Sequence, residues 1–144
     1  MTKTQKSLFV LSPLLALTLA CSKPEGTEKH SESTTSTPDG AKVKTTEDTK
    51  QVGENLEAKT ETKVTTNDGT MKSEALTVIG TVTAYEVGKK LEVLTGDKES
   101  RTFDLSDAKT TAAIAPDVKV GSRVTVTQTT ADSDHKNIKV DVGG

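Results

Sequence analysis

The chain is short of almost everything that marks a common active site. It has one cysteine, no tryptophan, one tyrosine, two phenylalanines and two histidines in 144 residues. A single cysteine excludes an intrachain disulfide. So few aromatic rings leave no stacking platform of the kind that holds single-stranded nucleic acid. Neither sign of charge dominates: 19 basic against 21 acidic residues give a net of −2. A chain so balanced gains no general attraction to nucleic acid or to anionic lipid. Apolar residues make up only 31%, against the ~45–50% usual when glycine is counted, so only part of the chain can bury a core. No uncharged run reaches the ~20 residues that a spanning helix needs.

One apolar run does occur. Residues 8–20 (LFVLSPLLALTLA) carry no charge and follow Lys3 and Lys6. That is a positive segment and then an apolar segment of secretory length, too short to span, and Pro13 would weaken a permanent membrane helix. The run ends at the one cysteine. Leu17-Thr18-Leu19-Ala20-Cys21 resembles the lipobox of bacterial lipoproteins, with small Ala20 in the −1 position and Thr18 where that family prefers leucine. The resemblance implies a diacylglycerol on the Cys21 thiol, cleavage between Ala20 and Cys21, and often a further acyl group, such as palmitate, on the new amine. It implies a membrane as first partner and the cell envelope as location. Ser22, which is not aspartate, corresponds to the outer-membrane class if the organism has such a membrane.

Residues 21–73 read as a tether. Residues 22–73 hold twelve threonines, eight lysines and ten acids, with Val43, Val52, Leu56, Val64 and Met71 as the large apolar residues. Ordering backbone costs ~1–2 kcal/mol per residue, and this composition offers little burial in return. Turn signals at Pro38-Asp39-Gly40 and Asn67-Asp68-Gly69 point the same way. A disordered stretch of this length would span about 36–43 Å, from ~5–6 Å × √n. A second reading stays open for residues 41–66. Lys42-Val43-Lys44-Thr45-Thr46 and Glu61-Thr62-Lys63-Val64-Thr65-Thr66 are similar β-prone strings that could pair as a hairpin or add strands to the next domain. The valine and leucine spacings suit an amphipathic helix less well.

Residues 74–144 read as a small β domain. Short apolar runs, at 76–87, 91–95, 100–105, 123–130 and 138–142, are separated by Gly88-Lys89-Lys90, Gly96-Asp97-Lys98 and the polar stretch 131–136. Gly80 inside the first run suggests a bulge or bend. Residues 106–114 suit a short helix or a further strand. The regular spacing argues for a small sandwich or barrel. Gly80-Thr81-Val82-Thr83-Ala84, Thr102-Phe103-Asp104-Leu105 and Val118-Lys119-Val120-Gly121-Ser122-Arg123-Val124 resemble the OB-like small β-barrels found as domains of unknown function in bacterial secreted proteins. The expected fold is therefore mainly β: a five- to six-stranded antiparallel OB-like barrel after a signal peptide (1–20) and a disordered tether.

Chemistry is sparse. Asp132, Asp134 and Asn137 lie close together, but Lys136 and Asn137 stand where a calcium loop needs Asp/Asn and glycine. Asp132, Ser133 and His135 are neighbours in sequence, which is not triad geometry. No catalytic group, metal or cofactor is expected, nor nucleic acid as a partner. Tyr85, with an apolar body and a polar tip, and Arg101, on the face of Phe103, are the candidate binding residues. The expected function is a non-enzymatic binding or adaptor module displayed on the flexible tether, with an envelope protein or polymer as its partner. A passive structural lipoprotein is the other reading.

Overall fold

The computed structural model describes residues 26–38, 40–96, 98–131 and 134–143. Its regular structure is all β: β1 (Thr27–Ser36), β2 (Lys42–Val52), β3 (Asn55–Thr66), β4 (Gly69–Glu86), β5 (Lys90–Leu94), β6 (Ser100–Asp104), β7 (Thr110–Ile114), β8 (Arg123–Thr130) and β9 (Lys136–Val142). The nine strands form one sheet in the order β1-β2-β3-β4-β8-β9-β7, with β5 on β4 and β6 on β5. All pairings are antiparallel except β7 with β9.

The core lies in the C-terminal part. The buried apolar side chains among the described residues run from Val78 to Val140, and Phe103, Leu91, Val78 and Val82 are the largest of those wholly enclosed. Alternation along the strands puts them there. Val124 and Val126 are buried on β8, and Ile138 and Val140 on β9, as a period of two requires when one sheet face is covered. Tyr85 and Leu76 are partly buried against the same cluster.

β4 organises the sheet, and Gly80 is its crease. One edge of β4 pairs with β8 from Glu74 to Thr81. The other pairs first with β3, as far as Ile79, and then with β5 from Thr81 onward. β3 and β5 thus lie end to end along one edge and part at Gly80. The β5 backbone crosses so closely there that a Cβ on Gly80 would sit 2.1 Å from the Leu94 carbonyl oxygen. The expected irregularity is present, as a close approach at Gly80 and a register shift between Val82 and Ala84.

The expected small barrel differs from the observed sheet, which has nine strands and does not close. Among the described residues, β6 pairs as a strand only with β5, and β7 only with β9. The reason lies in the connection between them. Asp104 accepts from the Ser106 amide and hydroxyl, both at 2.8 Å, and Asp107 accepts from the Lys109 amide at 2.9 Å. These local side-chain bonds turn the chain out of the ladder before β7 begins. Residues 110–114 are the strand alternative of the stretch that could have been helical.

The largest difference concerns the expected disordered tether. Its residues 27–66 form β1, β2 and β3, and its boundary at 73/74 falls inside β4. The two similar strings do pair, with Val43 opposite Val64 and Thr45 opposite Thr62. Burial contributes little to this ribbon: β1 is exposed along its whole length, and β2 and β3 are at most half-buried. Its backbone groups are instead satisfied by growth on the free edge of β4, and two opposite-charge pairs face each other, Asp48 with Lys59 and Lys50 with Glu57, although Lys44 also faces Lys63. Such pairs contribute roughly 0.2–1 kcal/mol each, and threonine and valine suit the extended backbone.

Candidate functional site

Registers fix which residues share the face that covers the core. One row across the sheet runs Glu28, Lys50, Glu57, Val78, Val126, Val140. The next runs His30, Asp48, Lys59, Leu76, Gln128, Ile138. The first row is apolar on β4, β8 and β9, the second is apolar there except at Gln128, and both become charged on β1–β3. The core face thus continues into an uncovered polar shelf.

The second wall comes from β6. Arg101 lies opposite Val93, on the face of Phe103, and the crease at Gly80 brings β5 and β6 back towards β3. Arg101 pairs there with Glu57, and Glu99, in the β5–β6 turn, accepts from Lys50 Nζ at 2.7 Å. Between shelf and wall runs a groove of three adjoining hollows. One of about 350 Å³ is lined by His30, Asp48, Lys50 and Glu57 among others. Lys59 connects it to one of about 200 Å³ that also touches Glu74, Arg101 and Gln128. Lys50, Glu57 and Arg101 lead into one of about 470 Å³ that reaches Glu99 and Thr102.

Charge alternates along the groove. His30 pairs with Asp48, and Lys59 lies 3.7 Å from Glu74. The Lys50 hydrogen bond and charge hold the Glu99 carboxyl below its usual range, and the same bond raises Lys50 above the usual lysine range. A depressed carboxylate adds stability above its unfolded pKa and loses it as pH falls through the folded one; a raised lysine loses its share as pH rises through its own. The bridge therefore holds from below the ordinary glutamate range to above the ordinary lysine range. In Lys50→Ala the Glu99 titration, followed by carboxyl carbon shifts, moves back up towards the ordinary value. An unmoved midpoint contradicts the bridge.

Of the two candidate binding residues, only Arg101 lies in this groove. Tyr85 sits opposite Leu91 on β4 and packs half-buried against the core. Ala20, Cys21, Asp132 and Ser133 lie outside the described residues. His135 hydrogen-bonds the Thr111 hydroxyl at 3.1 Å, and Lys109 lies 3.8 Å from Asp134. No three His, Cys, Asp or Glu among the described residues are grouped as metal ligands. Sequence reasoning missed Lys50, Glu57, Lys59 and Glu99. All four lie outside the two similar strings, and nothing in their local sequence marks them. Comparisons of the chain with protein-family models, curated proteins and solved structures give no match.

Proposed function

We propose that the chain is a lipid-anchored lipoprotein of the cell envelope, held by Cys21, whose β unit is a non-enzymatic binding or adaptor module. The anchor rests on Lys3, Lys6, the apolar residues 8–20 and Leu17–Cys21 read as a lipobox. Two or three acyl chains hold a protein stably, at ~0.8 kcal/mol per buried CH₂. The single observation that carries the binding role is the groove along Lys50, Glu57, Lys59 and Arg101, open to solvent and alternating in sign. It suits a polar segment that carries amines and carboxylates in turn, from an envelope protein or polymer. Residues 69–142 we take as an OB-like unit. β4 is shared between β5 and β8, and the parallel β7–β9 pair would complete a barrel once β6 and β7 are counted as one interrupted strand.

The groove cations already have acidic partners within the chain. That favours a second reading, a passive structural lipoprotein with no specific ligand. If the organism has an outer membrane, Ser22 directs either form there.

Cys21→Ala tests the anchor. The variant is expected in the soluble fraction or as uncleaved precursor, without the diacylglycerol and acyl mass of the wild-type protein. Unchanged mass and membrane fractionation would sink the lipoprotein reading.

A further inference from the structure

Several contacts gather one end of the sheet. β1 starts at Thr27, and Gly26 lies so close to the end of β2 that a Cβ on it would be 2.9 Å from Val52 Cγ2. The β2–β3 turn that follows is held by Arg123, which donates to the Glu54 carbonyl oxygen and lies 3.6 Å from the Glu54 carboxylate. Gly143 donates to the Arg123 carbonyl oxygen at 3.0 Å, and Gly121 to that of Val82 at 2.8 Å. Gly26, the β2–β3 turn, the loop before β8 and the end of β9 therefore share one end. It carries Val120, 62% exposed, and Val142, 43% exposed. The β1–β2 and β3–β4 turns lie at the other end, 11 or 12 residues of strand away, or about 35–40 Å at ~3.4 Å per residue.

Cys21 is five residues from Gly26, and an extended chain of that length spans at most about 18 Å at ~3.6 Å per residue. We infer that the end bearing Val120 and Val142 lies against the lipid headgroups of the membrane that holds the Cys21 anchor, and that the β3–β4 turn points away from it. The inference rests on the lipid-anchor reading. The occupant of these exposed valines is a lipid surface, because Gly26 lies at this end and five residues from Cys21 are too few to bring the far end down. Asp117 and Glu54 balance the charges of Lys119 and Arg123 here, so the contact needs no anionic lipid. A folded shelf with its groove partway along it is then held at a set height.

The chain has no tryptophan, so one introduced tryptophan reports alone. Val120→Trp and Met71→Trp are matched probes, at sites 62% and 60% exposed, and Val142→Trp is a second probe at the proposed contact. Each full-length protein is prepared acylated and placed in phosphatidylcholine vesicles containing brominated phosphatidylcholine, and its mass is read on the same sample. The expected result is acylated protein with quenching at 120 and 142 several-fold greater than at 71. Equal quenching at all three sites, or more at 71, with acylation intact overturns the orientation and leaves the anchor standing. A blue-shifted emission at 120 without bromolipid quenching assigns this end to a second copy of the chain and also overturns it. Unacylated protein overturns the anchor and the orientation together.

Discussion

Gly80→Val is expected to cost about 3 kcal/mol or more, a value in the range of severe overpacking. The added Cβ would meet the Leu94 carbonyl oxygen at 2.1 Å and Val93 Cγ1 at 2.8 Å. The first of these is backbone, so no side-chain rotation relieves it. Relief requires parting β4 from β5 where β3 has already ended, and the opposite edge of Gly80 is occupied by Val124. A small domain has ~5–15 kcal/mol to lose. The urea midpoint should fall sharply, and even Gly80→Ala should lower it. Gly96→Ala, whose nearest neighbours would lie at 3.6 Å, is the control and should change stability by a few tenths of a kcal/mol. A Gly80→Val midpoint equal to wild type contradicts the crease.

Phe103→Ala should cost about 3–5 kcal/mol, the usual range for removing a buried aromatic. Phe103 is 2% exposed and the largest side chain of the core. It stands opposite Leu91, and no other phenylalanine lies among the described residues. The consequence reaches the groove, because Arg101 lies two residues earlier on the same face of β6. Loss of the ring frees β6, and the Arg101–Glu57 and Lys50–Glu99 ties should loosen with it. Val87→Ala, at a site 82% exposed, should stay within about 0.5 kcal/mol. Denaturant unfolding checks both, and a Phe103→Ala protein as stable as wild type contradicts the core as described.

The two halves of the chain were legible to different degrees. From Leu76 onward most strands announce themselves, because all but β7 have buried positions, which alternate along β4, β8 and β9: Val78 and Val82, Val124 and Val126, Ile138 and Val140. Tyr85 and Arg101 also lie on that face, though only Arg101 reaches the groove. In residues 27–66 no face is buried, so the composition carried the signature of disorder. Those strands form because β4 offers a free edge and because Asp48 faces Lys59 and Lys50 faces Glu57. The local traces are the similar β-prone strings at 42–46 and 61–66 and the turn signal Asn67-Asp68-Gly69 between β3 and β4. Glu57 and Lys50 could not be read as partners of Arg101 and Glu99, which lie more than forty residues away. The expected tether length and the height of the ordered ribbon agree at about 40 Å, but the ribbon adds direction to distance.

A photo-cross-linking residue placed at Lys59, inside the groove, and separately at Lys139, on the opposite face of β9, tests binding through the groove in intact cells. Recovery under denaturing conditions and mass spectrometry identify what is attached. Binding through the groove predicts one dominant envelope species from position 59, absent from position 139 and lost in Arg101→Glu. The same diffuse spread of neighbours from both positions, unaltered by Arg101→Glu, would contradict it and favour an anchored protein without a specific ligand.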